Sequence, residues 1–388
     1  MKVALLSTCA LATPPRKYGG TELVVAELAK GLSNLGHQVT VFATGDSRVE
    51  GSLRYHFEQP IWPPNELAET RHASFAWREV ARFLSDFDVV HINHGAALRF
   101  HLHVPVPTVM TIHHARVDEL VEHYRAFDGV EYVAISERQA QIIPELKVSR
   151  VIHHGLDPSL YTQGSGDGGY VAFLGRFAQE KAPHLAIDAA RKAGMRLRIG
   201  GTYHEVGVDY YAREMQPRLA SADDVECCGE LGHDAKVELL RGAAALLFPI
   251  QWEEPFGLVM IESMLVGTPV IAFRHGSAPE VVEEGVTGFL VDNAEQMAQR
   301  IGELGRIDRE RCRERARSRW SSSRMAREYV ELYEKVARVR RAKPALRIAT
   351  PHARPGLGNV LLREDQPTSM YRPAKELDHA TSVRAGRG

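Results

Sequence analysis

The sequence predicts an α/β protein made of two doubly wound, Rossmann-like domains that face each other across a cleft. Three observations carry this expectation. Short apolar runs alternate with helical patterns along the chain, as βαβ units and parallel sheets require. The series breaks at Gly164-Ser165-Gly166-Asp167-Gly168-Gly169, a flexible linker by composition. A chain of 388 residues is also too long for one ordinary core.

In the first half the apolar runs are Val3–Leu6, Val39–Ala43, Val89–Ile92, Thr108–Ile112, Tyr132–Ile135 and Val151–Ile152. Between the first two, Thr21–Leu35 reads as a helix, with Thr21 as its N-cap and Gly36 as its C-terminal stop. The second half supplies Val171–Leu174, Leu197–Ile199, Val225–Cys228, Leu246–Pro249, Val270–Phe273 and Phe289–Val291. Ser323–Arg340 predicts one amphipathic helix, with Met325, Tyr329, Leu332 and Val336 on a single face. The expected organisation is an N-terminal domain over 1–160, a C-terminal domain over 161–322, a closing helix over 323–342 and a disordered tail over 343–388.

Composition narrows the function. Hydrophobic residues make up 44% and charged residues 25%, the balance of a water-soluble globular chain. Lys and Arg number 48 against 49 Asp and Glu, so no global field draws in nucleic acid or an anionic membrane, and no nucleic-acid partner is expected. Peripheral contact with a membrane stays open through local basic clusters. Cys9, Cys227, Cys228 and Cys312 form no CxxC pair, which argues against a disulfide scaffold or structural zinc and for a cytoplasmic setting. Met1-Lys2 before Val3–Leu6 imitates a short leader, but Ser7, Thr8 and Cys9 interrupt the apolar stretch, and a buried first strand accounts for it better.

The segment with the most chemistry is Glu254-Pro255-Phe256-Gly257-Leu258-Val259-Met260-Ile261-Glu262. Pro255 suits the first position of a helix, Gly267 its end, and Pro269 a stop. A helix beginning there, just after a strand, aims free backbone N–H groups into the cleft, and a diphosphate is the natural guest. Along a helix, the eight residues from Glu254 to Glu262 span about 12 Å, so the pair could hold the two ends of one elongated ligand. Taken alone, two solvated glutamates on a helix face would be the commoner case. Arg176 and Lys181 stand near the end of the strand Val171–Gly175, where positive charge would ease the departure of a diphosphate. A surface ion pair with Glu180 is the plain alternative for either one.

Gly175-Arg176 with Lys181, then Glu254–Glu262, then Gly276-Ser277-Ala278-Pro279-Glu280-Val281-Val282 and Glu284-Gly285-Val286-Thr287-Gly288-Phe289-Leu290-Val291, resembles the group-one, family 4-like retaining glycosyltransferases of GT-B fold. The resemblance covers roughly residues 1–340. It implies transfer of a hexose, with retained anomeric configuration, from a nucleoside-diphosphate sugar. A UDP-sugar is favoured as donor, and the acceptor is an unknown hydroxyl compound. It implies that Arg176 and Lys181 hold the diphosphate, Glu254 contacts the transferred sugar and Glu262 the ribose. Phe256, Gly257 and Leu258 count as donor-binding with them. Tyr18-Gly19-Gly20-Thr21 places Gly19 and Gly20 beside donor phosphates and acceptor, and His113 takes a position near the anomeric carbon. No cofactor and no metal are expected. His91, His94, His113 and His114 lie at strand ends without a His-Glu-x-x-His pattern, and Asp86-Phe87-Asp88 reads as a turn before a strand. One departure stands out: many relatives carry Asn-Gly where this chain has His153-His154-Gly155-Leu156-Asp157, a change that bears on the hinge or the acceptor side.

Other readings are a GT-B-type sugar-nucleotide epimerase, a phosphorylase, which lacks a marked cofactor lysine, and a non-catalytic sugar-nucleotide-binding protein. A dinucleotide oxidoreductase lacks its GxGxxG after the first strand. Oligomeric state is not legible.

Overall fold

The computed structural model describes residues 1–203, 208–220 and 224–342, so the tail expected over 343–388 lies outside the described residues. Two parallel sheets organise the chain. The first has seven strands in the order β3-β2-β1-β4-β5-β6-β7. These are β1 Lys2–Leu6, β2 Gln38–Ala43, β3 Ser52–Tyr55, β4 Val89–Ile92, β5 Thr108–Thr111, β6 Val130–Ala134 and β7 Val148–Val151. The second has six, in the order β10-β9-β8-β11-β12-β13, comprising β8 Tyr170–Leu174, β9 Arg196–Gly200, β10 Val225–Gly229, β11 Leu246–Phe248, β12 Val270–Phe273 and β13 Gly288–Val291. Both are doubly wound, with helices on each face, which is why the central strands β4, β5, β8 and β12 are buried along their whole length.

Two expectations of detail need correction. The edge strand β3 was not foreseen, because Ser52-Leu53-Arg54-Tyr55 is half exposed and lacks the apolar run by which buried strands announce themselves. The first helix starts at Gly20 rather than after Thr21, with Gly19 in the cap position and no side-chain cap. Gly19 has φ 151°, and a Cβ there would lie 2.7 Å from Pro15 Cβ, so backbone geometry sets this helix start and a hydroxyl does not.

In each sheet the chain reverses its winding direction once, between β1 and β4 and between β8 and β11. Doubly wound sheets bind ligands beyond the carboxyl ends of the strands at such a point. The helix Ser322–Ala342 packs its Met325, Tyr329, Leu332, Tyr333 and Val336 into the core of the N-terminal sheet, although it follows the C-terminal one in sequence. A buried polar chain pins it there. His91 bonds Tyr333 Oη and Thr111 Oγ1, each at 2.7 Å, and Thr111 Oγ1 lies 2.7 Å from Tyr329 Oη. Among the described residues no helix is long and apolar enough to cross a membrane.

Candidate active site

A cavity of about 600 Å³ opens at the two winding-reversal points and is lined from both sheets. From the N-terminal side come Gly19, Gly20, His113 and Arg116; from the C-terminal side come Arg176, Lys181, Lys236, Glu254 and Glu262.

Two strand ends of the C-terminal wall carry charged residues. Arg176 follows β8 and Trp252 and Glu254 follow β11. The expected helix start at Pro255 is wrong: the helix runs Leu258–Leu265, with Gly257 at the cap in the left-handed region, φ 79°. A Cβ at Gly257 would lie 2.7 Å from Met260 Cε, so the sharp turn needs a residue without one. Glu254 and Glu262 therefore do not share a helix, and the 12 Å helical spacing fails. A non-helical hook carries Glu254 instead, held by Glu254 N–H to Trp252 O at 2.9 Å, Ser277 N–H to Glu254 O at 3.0 Å and Ser277 Oγ to Phe256 O at 2.7 Å. The free N–H groups of the turn and of the first helical residues still lie at the cavity, because Phe256, Gly257 and Leu258 line it.

Both carboxylates are buried, Glu254 at 9% exposure and Glu262 at 4%, and each is matched by a lysine. Glu254 Oε2 takes hydrogen bonds from Lys181 Nζ and, at 2.7 Å, from Trp252 Nε1. Lys181 Nζ also sits 4.7 Å over the Trp252 ring. Glu262 Oε1 accepts from Lys236 Nζ at 2.5 Å, with Tyr161 Oη 3.5 Å away. A buried charge without such a partner would be severely penalised. Arg176 bonds Glu180 at 3.1 Å, the ion pair foreseen as its plain alternative, yet its Nε–H is buried with no acceptor among the described residues.

The N-terminal wall presents imidazoles from its strand ends, with Arg116, paired to Asp118 and Glu145, beside them. The four histidines weighed as a metal cluster disperse. His91 enters the core network, His94 stands 3.2 Å from Glu69, His114 bonds Tyr124 Oη at 2.7 Å, and only His113 and His114 reach the cavity. His113 is tightly specified. Asn93 Nδ2 donates to Leu6 O at 3.1 Å, which orients its amide, so Asn93 Oδ1 faces His113 Nε2 at 2.9 Å. That nitrogen carries the proton and Nδ1 is left as an acceptor. Burial, then the neighbouring His114, pushes the His113 pKa down to about 3, so the ring is neutral at ordinary pH. Gly20 faces Leu258 across the cleft, where a Cβ would come 3.5 Å from Leu258 Cδ1, and the two walls meet there closely.

Contacts outside the cavity hold the walls together. Glu280 receives the backbone N–H groups of Glu137 and Arg138 at 2.8 and 2.6 Å and pairs with His153 at 3.0 Å, while Arg138 grips Glu253 at 2.8 and 2.7 Å. Burial would raise the Glu280 pKa, but these hydrogen bonds outweigh it and hold the carboxyl below its usual range.

Sequence reasoning did not single out Trp252, Lys236 or Asn93. Trp252 stands two residues before Glu254 and was open to notice. Asn93 is a polar residue just beyond a buried strand, as His113 is, which is a usable signal. Lys236 lies on the helix His233–Gly242 and nothing local distinguishes it from other surface lysines.

The family described as glycosyl transferases group 1 matches residues 163–319, and glycosyltransferase family 4 matches residues 18–160. A D-inositol 3-phosphate glycosyltransferase of Mycolicibacterium smegmatis is 33% identical over 177 residues, 41% of this chain and only 40% of that protein's length. Spore coat protein SA of Bacillus subtilis is 24% identical across 86% of this chain and all of its own. Among solved structures, a sucrose-phosphate synthase of Thermosynechococcus elongatus superposes with a TM-score of 0.72 at 19% identity, covering 87% of this chain and 99% of that one. AviGT4, a glycosyltransferase of avilamycin A biosynthesis, gives 0.70 at 24% identity over 87% and 98%. A protein of Anabaena solved with UDP-glucose gives 0.67 at 20% identity over 86% and 100%. These likenesses identify the fold as GT-B.

Proposed function

The chain belongs to the group 1 glycosyltransferases of GT-B fold, and from that premise we propose that it moves a hexose from a UDP-sugar to a hydroxyl acceptor with retention of configuration. The observation that carries the reading is the pair of buried lysine–carboxylate contacts, Lys181–Glu254 and Lys236–Glu262, side by side on one wall of one cavity. A nucleotide sugar has an anionic centre and hydroxyl-rich ends, and this wall offers cations and hydroxyl acceptors together. The diphosphate takes Lys181, the buried Nε–H of Arg176 and the N–H groups at Gly257 and Leu258. Freed from Lys181, Glu254 accepts from a sugar hydroxyl while Trp252 keeps it in place. Glu262 accepts from the ribose. That Anabaena protein was solved with UDP and with UDP-glucose, which supports a UDP-sugar here.

Retention is supported by where the carboxylates stand. Glu230, Glu254 and Glu262 are the carboxylates among the described residues lining the cavity, and all three belong to the C-terminal wall. The N-terminal wall, on the far side of the sugar, offers a neutral imidazole and no acid to act as a nucleophile. The acceptor oxygen then bonds to the anomeric carbon on the face from which the diphosphate departs, and a diphosphate oxygen takes the acceptor's proton. Catalysis rests on positioning and on the cations that stabilise the leaving group. Because side chains supply that positive charge, the reaction needs no metal.

Incubation with UDP-, GDP- and ADP-sugars tests this. Release of UDP that persists in EDTA is the expected result. Silence across the panel, with Glu254→Ala leaving donor binding unchanged, overturns the reading.

A further inference from the structure

His154 follows the last strand of the N-terminal sheet, and the structure gives it a demanding environment. Its backbone is held from three directions. His154 O accepts from Arg324 Nη2 at 2.8 Å, Gly155 lies so close to Ser321 that a Cβ would come 2.3 Å from Ser321 O, and Leu156 exchanges backbone hydrogen bonds with Trp320 and Ser322 at 2.9 and 2.8 Å. The ring is 3% exposed and lines the cavity. It stacks on His113, with centroids 5.3 Å apart and planes 19° from parallel, and meets Phe256 of the opposite wall edge to face at 5.1 Å. His154 thus touches the N-terminal imidazole and the C-terminal hook with its ring, and the closing helix with its backbone carbonyl.

The tautomer follows from the hydrogen bonds. Nδ1 of His154 is buried and has no partner among the described residues. A buried N–H without an acceptor is disfavoured, whereas a bare lone pair is tolerated better, so the proton belongs on Nε2 and Nδ1 keeps its lone pair. Burial and the adjacent His113 hold the His154 pKa well below its ordinary value, so the two rings stack without charge repulsion. Beside it, His113 has its N–H spent on Asn93 and its Nδ1 free to accept. The pair together presents one acceptor and one donor, both neutral.

We propose that His154 is a sugar-recognition residue that works with His113, its Nε2–H donating to one hydroxyl of the transferred sugar while His113 Nδ1 accepts from the same or a neighbouring hydroxyl. This rests on the glycosyltransferase reading and deepens it by naming what the N-terminal wall reads: an uncharged hydroxyl edge of the hexose, where a sugar lacking the partner hydroxyl leaves the His154 N–H unmatched.

The test uses the full chain, UDP-glucose and a set of monodeoxy UDP-glucose analogues. His154→Phe keeps a ring on His113 and removes the donor; His154→Asn restores a donor on a shorter arm. Expected is a loss of about tenfold to a hundredfold in kcat/KM for UDP-glucose in His154→Phe, with partial recovery in His154→Asn. The Kd for UDP and the Tm should stay near wild type, since neither reports on the sugar edge. One deoxy analogue should be used equally by wild type and His154→Phe, because the partner hydroxyl is already gone. Wild-type kcat/KM in His154→Phe overturns the inference alone, as does a loss that is the same for every analogue or is mirrored in UDP binding and Tm. A wild-type protein that consumes no sugar nucleotide overturns this inference and the glycosyltransferase reading together.

Discussion

On the C-terminal wall of the cleft the carboxylates come with cations, Glu254 with Lys181 and Glu262 with Lys236, and at the rim Glu230 lies 3.7 Å from Lys17 of the other wall. On the N-terminal wall the same kind of strand end carries Asn93, His113 and His154, all neutral and joined by hydrogen bonding and stacking. The strand ends of two sheets of the same winding thus present different chemistry to one cavity, while Lys17 and Arg116 carry charge on loops of the N-terminal side. The difference teaches how labour is divided. Anionic parts of a ligand need charge that is already neutralised in the resting protein and can be exchanged on binding, whereas a sugar ring needs donors and acceptors that never ionise.

The sharpest way to break this comparison is to remove a cation from the charged wall. Lys181→Ala should lower kcat by about 10²–10³-fold, the scale for deleting one stabiliser of developing negative charge, and steady-state UDP release measures it. A loss below tenfold would mean that the leaving group is stabilised elsewhere. Next in size is the neutral wall. His113→Ala should cost about tenfold to a hundredfold in kcat/KM by removing one acceptor from a buried site.

Protonation state sharpens the contrast further. A pKa depressed to about 3 keeps His113 neutral down through the pH at which an ordinary histidine charges, so it should add no acid limb to the kcat/KM profile above about pH 5. A limb near pH 6.5 that vanishes in His113→Asn would refute the neutral tautomer. Glu27, buried between the first and closing helices, is shifted the other way, to about 7 by burial. Its folded-state pKa lies above the unfolded value, so its contribution is fully favourable below about pH 4.5 and is lost as pH rises through 7. Glu27→Gln should therefore raise Tm by about 3–6 °C at pH 8 and leave it little changed at pH 4, as thermal unfolding at the two pH values will tell. The smallest effect is expected at the wall-to-wall contact Arg138–Glu253, whose side chains are 43% and 42% exposed. Glu253→Gln should change kcat/KM by less than about fivefold, because exposed pairs contribute little.

The legible part of the fold was the part made of buried strands. Val89–Ile92 and Val270–Phe273 agree with the observed strands residue for residue, because a strand covered on both faces must be apolar throughout. Ser52–Tyr55 escaped because an edge strand is free of that demand. In the site, His113, Arg176, Lys181, Glu254 and Glu262 all reach one cavity, but their pairings were unreadable. A surface ion pair with the adjacent Glu180 stood as the plain alternative for Lys181, whereas its partner is Glu254, 73 residues on. Gly257 misled as well: Pro255 is a good first helical residue, and only the left-handed turn that follows it delays the helix to Leu258.

By itself the sequence determined the doubly wound architecture, the closing helix and the residue types that gather at the cleft, because periodicity and turn chemistry are local properties of the chain. Tertiary structure alone decided which lysine neutralises which glutamate, which nitrogen of His113 holds its proton and that His154 lies on it. Those are contacts between strand ends far apart in sequence, and a buried charge or imidazole takes its partner from whatever the packed sheets bring within about 3 Å.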